Sequence, residues 1–484
     1  MERKNFSSVH INRGKVVVAL LILLTGISFT GCKKFIDLDA PKTSVNASIV
    51  FNDNATAAAV LTGIYARLSA AFTSDALANL SVRGDLLADN LTLFDLNNTS
   101  YIGYYTNSLN PTVSSDVMYW KVIYQMMYIC NSALEGLGNS IKVDPAVKQQ
   151  LIGEAHFMRS FLYFYAVNLY GEVPLVLTTN YKINANLSKS KVTEVYAQIV
   201  ADLTKAQQML SADYLGGNMT VNTTERSRPN SAVATALLAR VYLYLKDFDN
   251  AETEASKLIG NTNYQLLPLN SVFLKNSKET IWSLIPVVTG GNTGEGPLFT
   301  LPATGPSSAR PLYLSINFMS AFETGDQRRT QWTGNVTAGG NTYNYAVKYK
   351  ISVSNQPVTE HTMVMRLAEQ YLIRAEARAN RANLSGAIAD LDEVRNRAGL
   401  AKIANTNPNI LKPDLLSQIY RDRRMELFTE WGHRWLDLKR WELANAVLAP
   451  IKGSNWQSTD VLLPFGSLEL QLAKNLGQNL GYPN

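Results

Sequence analysis

Two stretches of this 484-residue chain set aromatic rings close to amide, carboxylate and guanidinium groups. The first, residues 83–105, holds Arg83, Asp85, Asp89, Asn90, Asn97 and Asn98, followed by Tyr101, Tyr104 and Tyr105. The second, residues 310–345, holds Arg310, Tyr313, Asn317, Trp332 and Tyr343. An aromatic ring stacks on the C–H face of a pyranose and buries apolar area, while Asn, Asp and Arg hydrogen-bond the hydroxyls at its edge. The mixture therefore suits carbohydrate binding. Each residue also has a packing role open to it. Trp332, like Trp282, suits a partial core more than a platform, and Asp89 and Asn90 suit the end of a helix. Tyr101, Tyr104 and Tyr105 lie in a polar run without apolar periodicity, so exposure is expected of them. The candidates for ligand contact are Arg83, Asp89, Asn90, Tyr101, Tyr104, Tyr105, Arg310, Tyr313, Trp332 and Tyr343.

Catalysis has less support. Glycoside hydrolysis needs two carboxylates roughly 5–10 Å apart across a cleft, and Asp85 and Asp89 are near neighbours in sequence. No nucleophile elbow, phosphate loop or HExxH spacing accompanies them. Beyond the first 31 residues the histidines are His156, His361 and His433, far apart and away from cysteine. A zinc site is not expected, nor any other metal or cofactor. The expectation is non-catalytic binding.

The chain opens with Arg3, Lys4, Arg13 and Lys15, then the apolar run 16–24 and small residues up to Gly31. This reads as a signal peptide over residues 1–31, too short in its apolar part for a comfortable span. Phe29-Thr30-Gly31-Cys32 resembles a bacterial lipobox, which makes Cys32 the expected lipidation site and anchors a soluble body to a membrane without spanning it. Cleavage removes four basic residues and one acidic one, taking the formal charge from +6 to +3. No basic block remains to suggest nucleic acid. With Cys32 acylated, Cys130 has no partner for a disulfide.

The elements that must position the candidates are mostly helical. Periodicity predicts helices over 55–68, 75–93, 117–137, 192–210 and 231–245, with a polar loop over 92–115. Residues 152–176 form the most apolar helix, its aromatics at Phe157, Phe161, Phe164 and Tyr165, ended by Gly171 and Pro174. So many rings require neighbours on several sides. In 231–259 an Ala/Leu helix breaks at Lys246-Asp247 and a second starts near Ala251; 360–397 repeats the device with a break at 380–383. These units resemble tetratricopeptide repeats of about 34 residues, without the repeat's Trp–Leu–Gly–Tyr pattern. Three or four degenerate pairs are expected, 117–170 among them. Between them, 261–358 is rich in Gly, Thr, Asn and Ser, with β-like runs at 280–288 and 343–351. A structureless loop of that length is improbable. A ligand-facing insertion is expected, with Trp282, Tyr313, Phe318, Trp332, Tyr343 and Tyr345 as the candidates for its exposed aromatics. Finally, 415–441 alternates Arg and Glu with apolar residues and reads as one amphipathic helix laced with ion pairs. The fold class is mostly α: a tetratricopeptide-like helix–turn–helix superhelix, mainly 55–260 and 360–445, supporting an irregular subdomain with a few short strands. Residues 32–484 are read as a single domain.

An ordered set of residues carries a family resemblance. It runs from Cys32-Lys33-Lys34-Phe35 through Trp120, Tyr124 and Asn131 to Gly153-Glu154-Ala155, Arg159, Tyr170, Gly171 and Pro174. It continues at 234–242, at 372–374 with Glu376, and at 395–400. It ends with Arg423-Arg424, Glu426, Glu430, Gly432, Arg434, Asp437, Arg440 and Trp441, then Gln478-Asn479 and Gly481-Tyr482. Together these resemble the SusD/RagB family of nutrient-binding outer-membrane lipoproteins. Asp392 and Leu480 depart from the usual Asn and Pro, and Leu463-Pro464-Phe465 from the usual Ile-Pro pair. The resemblance implies a lipid-anchored, surface-exposed outer-membrane protein that holds an oligosaccharide for a TonB-dependent, SusC-like transporter. A RagB-like peptide binder is the alternative, and a glycoside hydrolase a remoter one. In the family, ligand contacts come from the two stretches named at the outset.

Overall fold

The computed structural model describes residues 50–69, 77–288 and 290–483. The signal segment, the tether after it and Cys32 lie outside the described residues.

The chain enters helix α1 (Asn54–Ser69), where the Asp53 carboxylate accepts from the amides of Ala55 and Thr56 and so caps its first turn. Next come α2 (Leu80–Leu87) and the short α3 (Ile102–Thr106). The long pair α4 (Ser114–Asn139) and α5 (Pro145–Tyr170) follows. Pro145 starts α5, since a proline in the first turn removes only an amide that would lack a helical partner. Gly171 stops it at φ 75°, a backbone angle that glycine adopts without steric penalty. Almost every residue of α5 from Leu151 to Tyr170 is buried, because α4, α6 (Val192–Met209) and α1 pack around it. The scaffold continues through α7 (Ser231–Tyr244) and α8 (Phe248–Ile259), then α9 (Leu367–Asn380) and α10 (Leu384–Arg397), with α8 packed on α9. It closes with α11 (Lys412–Leu427), α12 (His433–Arg440) and α13 (Ala444–Lys452). The molecule is mostly α, as the periodicity implies.

One turn recurs in this scaffold. Lys246, Ala382 and Glu442 each adopt a left-handed backbone (φ 59°, 62° and 62°) directly after a helix. The next amide then reaches back: Asp247 to the Tyr242 carbonyl, Asn383 to Arg378, Leu443 to Leu438. This is the Schellman arrangement, which satisfies carbonyls that a helix end leaves bare. In the first two turns an Asx side chain also caps the second helix: Asp247 accepts from the Asn250 amide and Asn383 from the Gly386 amide. The three turns join α7 to α8, α9 to α10 and α12 to α13.

Three short antiparallel ribbons accompany the helices. β1 (Leu91–Leu93) pairs with β3 (Leu312–Leu314), placing Thr92 opposite Tyr313. β2 (Thr280–Leu284) pairs with β6 (Thr362–Arg366). β4 (Thr333–Ala338) and β5 (Asn341–Ala346) form a hairpin around Gly339-Gly340, both at positive φ, as a primed two-residue turn demands. Both β-like runs of the sequence thus hold strands, shorter than expected.

Three expectations need correction. The run 75–93 is not one helix: α2 spans only Leu80–Leu87, and residues 91–93 are β1. The insertion does not expose Trp282, Phe318 or Trp332; all three are fully buried in the main core. Trp282 meets Phe157, Phe161 and Tyr65 edge-on at 5.1, 5.3 and 6.3 Å, so strand β2 seals the aromatic face of α5. The segment 415–441 is also not continuous. α11 ends at Leu427, and Thr429, Trp431 and Gly432 all take positive φ before α12 begins. The break lets Trp431 turn inward against Phe161, 5.6 Å away, with its indole N–H on the Met363 carbonyl.

The charged residues of this segment are paired, but inside the protein. Glu426, fully buried, accepts from Arg366 at 2.9 Å and Arg397 at 2.6 Å. Glu430 accepts from Lys348 at 2.6 Å and Arg366 at 2.8 Å. Burial alone would raise the Glu426 carboxyl, but Arg397, Arg366 and Arg328 outweigh it and hold it far below its ordinary range. A charge taken out of water persists only where its partners satisfy it, and here they come from the insertion, Arg328 and Lys348, and from the scaffold after it, Arg366 and Arg397.

Candidate functional site

The two stretches singled out at the start meet in one place. α2 presses against the break between α11 and α12: a Cβ on Gly84 would lie 2.6 Å from the Gly432 Cα, so only glycine allows the approach. Asp85 on α2 accepts the Thr429 amide at 2.7 Å and Ser81 the Trp431 amide at 2.9 Å. With α2 thus fixed, Asp89 and Asn90 follow at its end and lead into β1. Arg424 of α11 donates to both, 2.9 Å to each, and Arg434 of α12 donates to Asp89 at 2.7 Å. From the other stretch, Ser315 donates its hydroxyl to the Asp89 carbonyl at 2.6 Å and its amide to the Asn90 carbonyl at 2.9 Å. The same hydroxyl accepts from the Phe318 amide and caps the short helix Ile316–Ser320. One serine thus ties residues 226 positions apart.

Between these elements lies a cleft of about 420 Å³, a size usual for small-ligand pockets. Asp89, Thr92, Tyr105 and Thr106 line one side, and Tyr313, Ser315, Ile316 and Asn317 the other. Ile451, Lys452 and Asn455, at the end of α13, close it. The Tyr313 ring carries Tyr343 edge-on at 5.2 Å, and Tyr343 carries Phe94 at 6.1 Å, so a run of three rings extends from the cleft along the β5 hairpin. Phe94 is exposed and Tyr343 half-buried.

The electrostatics are set by ion pairs. Burial raises the Asp89 carboxyl, but Arg424 and Arg434 outweigh that and hold it ionised below its ordinary value. The Asp89 oxygens accept three side-chain N–H bonds, two from Arg434 and one from Arg424, leaving one of about four acceptor positions for a ligand hydroxyl. Lys452 donates to the Leu86 carbonyl at 2.7 Å and the Tyr105 carbonyl at 2.6 Å, with its ammonium 5.0 Å from the Tyr105 ring centre.

Of the residues named from the sequence, Asp89, Tyr105 and Tyr313 line the cleft and Tyr343 packs behind Tyr313. The others do different work. Trp332 is fully buried and donates its indole N–H to the Leu269 carbonyl at 2.9 Å; it has no face to offer. Tyr104 is equally buried, its hydroxyl bonded to the carbonyls of Ser115 and Asp116. The polar loop holding it folds α3 inward, which its Asn-rich sequence hides. Arg83 is buried against the rings of Tyr101, Tyr104 and Tyr119 at 5.6, 5.0 and 5.8 Å, so Tyr101 serves to cover a cation. Asn90 is buried and holds Arg424. Arg310 reaches toward the Thr300 carbonyl and does not line the cleft. Among the residues the sequence reading missed are Phe94, which extends the run of rings, and Lys452 and Asn455, which line the cleft. Only the Pro450-to-Gly453 helix ending marks the last two as a turn.

Asp85 does not face Asp89 across the cleft. It is buried against the α11–α12 break, where burial pushes its carboxyl up to about 6. Among the described residues lining the cleft, Asp89 is the sole carboxylate. No described helix is long and apolar enough to cross a membrane.

Residues 34–243 match a family described as "Starch-binding associating with outer membrane", and residues 317–482 match the "SusD family". SusD-like protein P2 of Formosa agariphila is 27% identical over 527 aligned positions, covering 96% of this chain and 99% of that one. Among solved structures, a laminarin-binding SusD-like protein superposes with a TM-score of 0.71 at 23% identity, covering 89% of this chain and 98% of that one. Surface glycan-binding protein A from Bacteroides thetaiotaomicron superposes with a TM-score of 0.73 at 20% identity, covering 89% and 100%.

Proposed function

The chain belongs to the SusD/RagB family, and from that premise we propose that it is a non-catalytic glycan-binding lipoprotein whose ligand lies in the cleft between Asp89 and Tyr313. The observation that carries this reading is the meeting of Tyr105, Tyr313 and Asp89 with Asn317 and Asn455 around one open cleft: rings for sugar faces, fixed polar groups for hydroxyls. The names of the family and of its relatives, starch-binding, laminarin-binding and surface glycan-binding, support the ligand class. Binding without turnover is supported by the lone, doubly ion-paired Asp89, since hydrolysis calls for a second carboxylate across the bond. Lipidation at Cys32, outer-membrane anchoring at the cell surface and delivery to a SusC-like TonB-dependent transporter complete the proposal, on the strength of the lipobox and the family.

The test is retardation of the purified protein in gels loaded with a panel of polysaccharides, beside Tyr313→Ala and Tyr105→Ala. Retardation by one glycan class, lost in either variant, is the expected result. Retardation by none, with peptides enriched from a nutrient digest, overturns the glycan reading in favour of a RagB-like one.

A further inference from the structure

The ammonium of Lys452 is held at the cleft by two main-chain carbonyls and a ring face, with no carboxylate within ion-pair distance among the described residues. A lysine ammonium has three N–H donors; the third has no described protein acceptor, and the side chain lines the cleft. The surrounding charges do not neutralise it. Asp89 is the sole carboxylate among the described residues lining the cleft, and it is already ion-paired with Arg424 and Arg434, so Lys452 is the one cation of the lining without an ion pair among the described residues. Elsewhere the protein completes such a site. Lys348, fully enclosed, also donates to two carbonyls, of Glu426 and Phe428 at 2.8 Å each, and also lies over a ring, Phe428 at 4.0 Å. There the third donor meets the Glu430 carboxylate at 2.6 Å. Lys452 reproduces that cage without its carboxylate, at the wall of an open cleft. A desolvated cation without a counter-ion disfavours the folded state unless something supplies the anion.

We propose that the ligand supplies it: the cleft takes an acidic saccharide, whose carboxylate or sulfate ester accepts the remaining N–H of Lys452 while Tyr313 stacks on the ring. This rests on the reading that the cleft binds glycan and names the class. A uronate and a sulfated sugar offer the same anion-acceptor chemistry here, so the experiment carries an arm for each.

Affinity gels and calorimetry at 0.15 M salt would use the purified protein with polygalacturonate, alginate and a carrageenan as acidic probes. Starch and a β-glucan serve as neutral ones, beside Lys452→Met and Tyr313→Ala. The expected result is retention by one acidic class, weakened tenfold or more in Lys452→Met and abolished in Tyr313→Ala. A carboxyl-reduced or desulfated form of the same polymer loses a comparable factor on the parent protein, a comparison that needs no variant to fold. Equal binding of neutral polymers, unchanged in Lys452→Met, overturns the anionic assignment and leaves the glycan reading standing. Failure of every polysaccharide to bind overturns both.

Discussion

Lys348 and Lys452 sit in cages of the same design, and their difference separates the two halves of the molecule's chemistry. Around Lys348 every donor is used and the counter-ion is built in, so the charge serves the fold by joining the insertion to the α11–α12 break. Around Lys452 the carbonyls and the ring are present but the carboxylate is missing, and the open position faces solvent. Burial lowers both ammoniums, to about 8 and about 7. A closed ion pair is architecture; an unclosed one beside a cleft is a place for a ligand.

The comparison is broken most severely by removing the closed pair. Lys348→Met should destabilise the protein by about 3–5 kcal/mol in denaturant unfolding, because Glu430 loses one of its buried partners. Lys452→Met should stay within about 1 kcal/mol of the parent, since desolvation of a charge and the loss of two hydrogen bonds offset each other. Comparable losses in both would refute the distinction. The aromatic residues allow a parallel contrast. Trp332→Ala should cost about 3–5 kcal/mol through the cavity it leaves, with affinity per folded molecule unchanged. Tyr313→Ala should remain folded and lose the glycan.

Glu295 sharpens the comparison from the acid side. It is buried with no ion pair among the described residues, accepts the Thr362 hydroxyl at 3.0 Å, and burial pushes its carboxyl up to about 7. Between pH 4.5 and 7 the folded protein then keeps a proton that the unfolded chain has lost, so stability falls as pH rises through that window. Glu295→Gln should remove this part of the decline and raise stability at pH 8 by on the order of 1–3 kcal/mol in melts run against pH.

A pH effect of opposite origin belongs to Lys452. The groups around it are Asp89, held ionised by Arg424 and Arg434, and the Tyr105 phenol, raised by burial. An anionic ligand restores the ammonium's proton, so affinity for an acidic glycan should weaken by on the order of tenfold from pH 7 to 8.5, and stay flat in Lys452→Met. The smallest effect concerns the scaffold alone. Ala382→Gly should stabilise by about 1 kcal/mol, because a left-handed backbone costs alanine but not glycine; thermal melting checks it, with binding unaltered.

How much of this could be read from residues alone follows from the range of the interactions. The pair α7–α8 was legible because its signals are local: an Ala/Leu period and a break at Lys246-Asp247. The stretches 83–105 and 310–345 stand out by composition, but only the β1–β3 pairing and Ser315 bring the two together. Trp332 was legible only in part: its type suits a core, but one ring in a polar, strand-flanked run has no periodicity to show how deeply it is buried. Lys452 was beyond reach for a different reason. Its partners Leu86 and Tyr105 lie 366 and 347 residues away, and nothing in a Pro-Ile-Lys-Gly turn encodes them.

The most direct test of the glycan assignment is a calorimetric titration of the retarding polysaccharide into the parent protein and into Tyr313→Ala, both verified as folded. Saturable heat with the parent and none with Tyr313→Ala is the predicted result. Equal binding by the two would place the ligand elsewhere and contradict the account.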